Sequence, residues 1–180
     1  MARFELQFPA SEIDALAARY DYADDGDLLA LGAAARTRGY YTRRELIEVC
    51  AWKTPRSRAL VAANSRHAVI SRTRRALSAT DESERIAPLL ELHGVGVPTA
   101  STLLYVAFPA DYPILDVRAL ESLGARSRST YPVSFWLQYL DACRELARVN
   151  GVSIRTLDKA LWQHSRERSA TRRRRRIRHP

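Results

Sequence analysis

The feature that most constrains the fold is a glycine-containing turn between two helical stretches, Gly94-Val95-Gly96. Pro88 and Pro98 flank it, and each suits the first turn of a helix, where proline's missing N–H is not needed. The glycines permit positive φ angles and expose bare backbone. We therefore predict a helical hairpin over residues 89–107, with the positive end of the second helix open to a phosphate. On its own, such a turn is more often an ordinary corner between helices.

The remaining sequence also has helical periodicity, so we expect an all-α protein. Thr42 with Glu45 forms a capping box for a helix that Pro55 should end. The helix starts expected elsewhere are a first helix capped by Ser11, two helices within 56–64 and 67–79, one opening at Asp81, a long helix after Pro132 and a last helix capped by Ser153.

Between the first helix and Thr42 the sequence predicts an acidic, glycine-containing connection. After Arg168 the apolar periodicity ends and arginine dominates, which is typical of disorder. We therefore predict one helical domain over residues 1–168 and a disordered, arginine-rich tail over residues 169–180.

Charge is unevenly distributed along the chain, which has a formal net charge of +9. Residues 165–180 hold eight arginines and one glutamate, hence +7, and residues 36–75 hold eleven basic and two acidic side chains, hence +9. Residues 1–27 hold two basic and seven acidic side chains, hence −5. Basic blocks of this kind favour a polyanionic partner such as nucleic acid, and the alternative is a solvated surface with a basic tail.

Two cysteines, Cys50 and Cys143, stand far apart without a CxxC motif, which argues against a zinc site, an iron–sulfur cluster or a disulfide framework. The first ten residues lack the apolar core of a signal peptide. The longest nearly apolar stretch, residues 99–110, is too short to span a bilayer. We therefore expect a soluble cytoplasmic protein without a membrane partner, nucleoid-associated if it is bacterial.

A second motif, Tyr112-Pro113-Ile114-Leu115-Asp116, follows the hairpin. Together with Leu92-His93-Gly94-Val95-Gly96 and Thr99-Ala100, it resembles the helix-hairpin-helix DNA glycosylases, the superfamily of endonuclease III and the adenine-mispair glycosylases. There, a similar segment after the second helix supplies an essential aspartate. The 18-residue interval from Pro98 to Asp116 is the one that separates the catalytic lysine and aspartate of the bifunctional members. The close match covers residues 89–124, and the motif is especially similar to the adenine-mispair branch.

The resemblance implies that Gly94 and Gly96 are the hairpin glycines and that Asp116 is the catalytic carboxylate. It places the nucleophilic lysine at Pro98, which has no amine, and so implies a monofunctional enzyme. His93 replaces the usual proline of the turn. The family's glutamine-bearing, duplex-probing segment would fall near residues 52–55.

For the whole chain, the resemblance implies a helical barrel around the hairpin, with the first and last helices packed together. It implies no required cofactor and no iron–sulfur cluster, and it allows a monovalent cation at the hairpin turn.

A carboxylate at Asp116 suits cleavage of an N-glycosidic bond, because positive charge builds on the sugar in the transition state. The base must first leave the stack. The sequence also favours a structural role, since Asp116 stands at the N-cap position of a short helix over residues 117–123. The two roles are compatible, because a cap fixes the carboxylate at the mouth of a helix.

The chain has only two lysines, Lys53 and Lys159, beside 27 arginines. We expect Lys159 to lie on the last helix, away from the hairpin. Lys53 adjoins Trp52 in the segment expected to approach DNA, so it has two candidate roles. A phosphate contact is the favoured one, and an amine nucleophile is the alternative.

The expected function is hydrolytic removal of a damaged or mispaired base from duplex DNA by a monomeric enzyme. One alternative is a non-catalytic hairpin DNA-binding protein, and another is a protein–protein adaptor with a basic tail. The predicted DNA contacts are Gly94, Val95, Gly96, Thr99, Lys53, Arg56 and Arg58, and the candidate pocket residues are Trp52, His93, Tyr105 and Arg118.

Overall fold

The computed structural model describes residues 4–22 and 25–178, and within these ranges it contains helices and no β-strand. The all-α class expected from the sequence is therefore confirmed. Its α-helices are α1 (Ile13–Ala18), α2 (Gly26–Arg38), α3 (Arg43–Lys53), α4 (Arg58–Ala62), α5 (Arg66–Ser78), α6 (Glu82–Leu90), α7 (Val97–Ala107), α8 (Val117–Ser122), α9 (Val133–Val149) and α10 (Ile154–Arg178).

Helix α7 lies at the centre of the core, and all of its residues except Pro98 are buried. Helices α2, α3 and α6 pack against it. Its contact with α2 is a close backbone approach, because a Cβ added at Gly32 would overlap the carbonyl oxygen of Val106. The second helix of the hairpin is therefore embedded in the core, and this holds the turn before it in place.

The N- and C-terminal helices pack against each other, as expected. Helix α10 contacts α1 and α8, and Arg19 Nε lies 2.9 Å from Glu167 Oε1 across the first contact. The segment before α1 also joins α8, because Glu5 N–H donates to Leu123 O at 3.0 Å.

Several helix boundaries are as predicted. Thr42 and Glu45 form the capping box of α3, which ends at Lys53 before Pro55. Asp81 caps α6 and accepts hydrogen bonds from the N–H groups of Ser83 and Glu84. Ser153 Oγ accepts from Thr156 N–H at 2.9 Å in the first turn of α10.

Helix α2 lies where the sequence predicted a connection. Its buried positions are Leu28, Gly32 and Ala35. Two of these three residues are small, so they leave little hydrophobic signal in the sequence, although they permit the tight contact with α7.

Two other expectations differ from the structure. Ser11 lies in a 3-10 turn, Ala10–Glu12, and does not cap α1. Pro88 lies near the end of α6 instead of in a first turn. Helix α10 runs on to Arg178, and the disordered tail predicted over residues 169–180 stays a prediction, since its last two residues lie outside the described ones. Residues 169–178 contain no glycine or proline, and arginine is a good helix former that can extend a packed helix.

No helix in the described part of the chain is both long enough and apolar enough to cross a membrane.

Candidate active site

A cavity of about 290 Å³ opens beside Asp116. Its volume is close to the lower end of ligand pockets, roughly 300–1,000 Å³. The walls come from the segment after α1, the end of α3, the segment that leads into α8, and α10. The cavity is lined by Tyr20, Tyr22, Trp52, Lys53, Ile114, Asp116, Arg118, Arg155, Asp158 and Trp162.

The segment that leads into Asp116 is held by hydrogen bonds to its backbone. Asp158 Oδ1 accepts from Ile114 N–H at 3.1 Å, and Ser101 Oγ accepts from Leu115 N–H at 3.0 Å. Tyr139 donates its hydroxyl hydrogen to Ile114 O at 2.9 Å. Buried groups from α7, α9 and α10 therefore fix the position from which the Asp116 side chain starts.

Asp116 caps α8, as the sequence predicted. Its Oδ1 accepts from Ala119 N–H at 2.7 Å. Its other oxygen, Oδ2, lies 3.6 Å from Lys53 Nζ. One oxygen is thus occupied by the cap, while the other faces the cavity and its lysine.

Lys53 is the last residue of α3 and belongs to the cavity wall. Its side chain is only 14% exposed. The capping box sets where α3 begins, and Thr54 and Pro55 set where it ends. Because both ends of α3 are set by local sequence, Lys53 is placed at the helix terminus, and from there its side chain reaches Asp116.

A second charged network centres on Arg155, which also lines the cavity. Its guanidinium donates to Asp158 Oδ2 at 2.6 Å and also to Asp25. Tyr105 donates its hydroxyl hydrogen to the same Asp25 oxygen at 2.6 Å. Burial raises the pKa of Asp158 to about 6, with Arg155 opposing this shift. The network ties α10 to the start of α2 and to the loop before α8.

Aromatic rings also line the cavity. The Trp162 ring lies 5.2 Å from Tyr20 and 5.1 Å from Tyr22, between ring centroids. Tyr22 also contacts Trp52 at 5.9 Å, and the Arg118 guanidinium lies 5.1 Å from the centre of the Trp162 ring. Such surfaces stack well with planar groups.

The two hairpin glycines have different conformations. Gly94 has a φ of +77°, and a Cβ there would lie 2.9 Å from Leu60 Cβ. Gly96 has a φ of −95°, so only Gly94 of the two uses the positive φ that glycine permits. A Cβ at Gly96 would meet only Pro98 Cδ, at 3.9 Å. The fold thus requires glycine at 94, whereas at 96 glycine leaves the exposed start of α7 without a side chain.

The turn is clamped by Asn64, a buried residue that follows α4. Its amide Nδ2 donates to His93 O at 3.0 Å, and its Oδ1 accepts from His93 N–H at 2.9 Å. Nothing in the sequence marked Asn64, because the partner backbone lies on a segment distant in sequence. This clamp fixes the hairpin against α4.

The structure brings four of the predicted site residues together at the cavity: Asp116, Lys53, Trp52 and Arg118. Tyr105 is buried behind Arg155, 4.7 Å from its guanidinium. His93 is exposed on the hairpin turn, outside the residues that line the cavity. The lining residues that sequence reasoning missed are Tyr20, Tyr22, Ile114, Arg155, Asp158 and Trp162.

Apart from Lys53 and the two hairpin glycines, the predicted DNA contacts differ in side-chain exposure. The side chains of Val95 and Thr99 are buried, so only their backbone groups can reach a ligand. Arg56 and Arg58 are exposed, as is Arg66. Within the described residues none of these three arginines forms an ion pair, in contrast to Arg72 and Arg75, which both pair with Glu91.

The described residues contain no group of three or more histidine, cysteine or acidic side chains that could hold a metal ion. Burial raises the pKa of Cys50 to about 12 and also raises that of Cys143. At the hairpin turn, Leu92 O already accepts from Val95 N–H, and His93 O accepts from Asn64. Each of these carbonyl oxygens keeps a second lone pair, so a monovalent cation at the turn stays a prediction.

No protein-family model matches the chain, and no curated protein or solved structure matches it. A function is therefore inferred from the geometry of the site and from the residues that carry the resemblance.

Proposed function

We propose that this protein is a DNA glycosylase that hydrolyses the N-glycosidic bond of a damaged or mispaired base in duplex DNA. The observation that carries the proposal is the placement of Asp116. Its carboxylate is fixed at the N-terminus of α8 and faces a cavity with aromatic walls. A planar base would enter between these rings, and its sugar would lie against the carboxylate.

Asp116 would act on the charge that develops as the bond breaks. As the base departs with the bonding electrons, the sugar becomes cationic, and a fixed carboxylate stabilises that cation. The same carboxylate can activate a water molecule that adds to C1′. Pro98 has no amine at the position of the family's lysine, so water is the proposed nucleophile in this step.

The hairpin and α4 would hold the duplex. Gly96 provides no side-chain cap for α7, so the first-turn N–H groups are free to bind a phosphate. Arg56, just before α4, and Arg58, the first residue of α4, would bind further phosphates. Leu60 lies beside Gly94 and is 60% exposed. An apolar side chain at this place is suited to wedge between base pairs and hold the gap that a flipped base leaves.

The fold would then be a helical barrel of the helix-hairpin-helix glycosylase type. The main alternative is a DNA-binding protein that retains the hairpin without chemistry. A pure binder has no need of a carboxylate in a cavity, and the Lys53–Asp116 pair therefore favours the enzyme. An adaptor for another protein would need neither the hairpin nor the cavity.

The experiment is a base-release screen on duplexes with oxidised, alkylated, deaminated or mispaired bases. Products are treated with hot alkali so that abasic sites become strand breaks. We expect release of one class of base by the wild-type protein and strongly reduced release by Asp116→Asn. Tight duplex binding without release from any substrate would support the non-catalytic alternative.

A further inference from the structure

We infer that Lys53 is an amine nucleophile that captures the aldehyde of an abasic site and cleaves the strand there. This lyase activity rests on the proposed function, because an abasic site is the product of base removal. It departs from the expectation of a monofunctional enzyme, which followed from Pro98 alone. The amine comes from α3 instead of from the hairpin.

The position of Lys53 does not suit the phosphate contact favoured from the sequence. Its side chain is 14% exposed and its Nζ lies 3.6 Å from Asp116 Oδ2 within the cavity wall. A phosphate of the DNA backbone is met more readily by an exposed side chain, and Arg56 and Arg58 are exposed and outside any ion pair among the described residues. Lys53 therefore faces the place where a sugar would lie.

The residue type is also informative. The chain uses 27 arginines and two lysines, yet it has a lysine beside Asp116. Arginine would carry the same charge and could bind the carboxylate through two hydrogen bonds. It cannot lose its proton in a protein, whereas an amine can do so and form an imine. A requirement for an amine that can form an imine explains why lysine, and not the far more frequent arginine, occupies position 53.

The other lysine, Lys159, is not among the residues that line the cavity. Its Nζ lies 5.6 Å from the centre of the Tyr20 ring. The N-terminal amine belongs to Met1, which lies outside the described residues. Among the residues that the structure describes, Lys53 is thus the lysine whose amine pairs with the proposed catalytic carboxylate.

The chemistry balances without an oxidant or a reductant. Asp116 takes a proton from the Lys53 ammonium, and the free amine adds to the C1′ aldehyde of the ring-opened sugar. The carbinolamine loses water, with the proton returned by Asp116, and a protonated imine forms. Asp116 then removes a 2′ proton, the C3′–O bond breaks, and the 3′ phosphate leaves with its electron pair. Water hydrolyses the imine and releases Lys53.

The test uses a duplex with one preformed abasic site, so it does not depend on which base the protein removes. Borohydride reduces an imine to a stable amine and links protein to DNA. We expect a covalent adduct with the wild-type protein and with the matched control Lys159→Arg. The adduct and the strand break should be lost in Lys53→Arg, which keeps the charge, and in Lys53→Gln.

Duplex binding and thermal unfolding of each variant establish that the protein is folded and bound. An adduct that persists in Lys53→Arg would overturn the assignment and identify another amine. No adduct with bound wild-type protein would also overturn it. Base release without an adduct would then leave the proposed glycosylase intact, whereas an adduct without base release from any substrate would contradict the glycosylase and retain the lyase.

Discussion

The Nζ atom of Lys53 lies 3.6 Å from Oδ2 of Asp116, across the junction between the end of α3 and the start of α8. This distance is longer than an N–H···O hydrogen bond, which is typically about 2.7–3.2 Å. The pair is therefore loose, and each group can turn toward a ligand. The other carboxylate oxygen stays bound to Ala119 N–H, so the aspartate can act without losing its cap.

Asp116→Asn should retain the fold and lose base release. The asparagine carbonyl can still accept from Ala119 N–H, but a neutral amide does not stabilise a cation. We expect base release to fall by on the order of 10²–10³-fold, the usual cost of one electrostatic contact to a transition state. Single-turnover release on the substrate found in the screen measures this. Full activity in the folded variant would refute the catalytic role, and loss of folding would favour a structural one.

Gly94→Ala and Gly96→Ala form a matched pair that separates folding from binding. Alanine at 94 would adopt a left-handed conformation against Leu60 and Val61, at a cost of about 1–3 kcal/mol. Alanine at 96 would cost about 1 kcal/mol or less, the difference between glycine and alanine at an N-cap.

Denaturant unfolding and duplex binding of both variants test this pair. We expect Gly96→Ala to be folded and to bind DNA more weakly, because its methyl group stands where backbone would approach a phosphate. Unchanged binding by Gly96→Ala would argue against the hairpin as a DNA contact.

Duplex binding should weaken steeply with salt and show little sequence preference. The slope of log affinity against log salt is expected to be about −0.9 for each phosphate neutralised. Deletion of residues 169–180, which hold six arginines, should make the slope shallower without abolishing binding. Fluorescence anisotropy over a salt series measures both. If the deletion removes all binding, the hairpin is not the main contact.

Asp158 should give the protein a pH-dependent stability between about pH 4 and pH 6. Its pKa in the fold is about 6, above the value of about 3.9 in an unfolded chain. In this window the folded state holds the proton more tightly, so the free energy of unfolding falls as pH rises. The contribution is about 3 kcal/mol, since each pKa unit corresponds to about 1.4 kcal/mol.

Asp158→Asn removes this titration. The difference in the free energy of unfolding between wild type and variant should therefore shift in favour of the variant from about pH 4 to about pH 7. Urea unfolding of both proteins across this range measures it. Parallel pH profiles would show that Asp158 does not titrate in the window.

Local signals in the sequence predicted the parts of the site that are built from short segments. Thr42 and Glu45 mark the start of α3, and Pro55 marks its end, so the place of Lys53 at a helix terminus could be inferred. Asp116 as an N-cap could be inferred in the same way. Its distance from Lys53 could not, because it depends on how α3 and α8 pack.

The remaining parts of the site depend on contacts between distant segments. Arg155 joins Asp25 to Asp158, and Asn64 binds the backbone of His93. Arginine, aspartate and asparagine are common on protein surfaces, so the sequence does not distinguish these residues from others. Only the fold brings the partners together. Helix α2 was missed for a different reason, since small residues make its contact with α7.

Because Gly32 approaches Val106 so closely, the geometry of the cavity is sensitive to a substitution at a position outside it. Any side chain at position 32 would push α2 away from α7, and Asp25, at the N-cap of α2, would move with it. Asp25 would then release Arg155, and with it the support for Asp158 and the loop before Asp116. In a random mutagenesis screen, substitutions at position 32 would reduce activity as substitutions of catalytic residues do, although Gly32 is not among the residues that line the cavity.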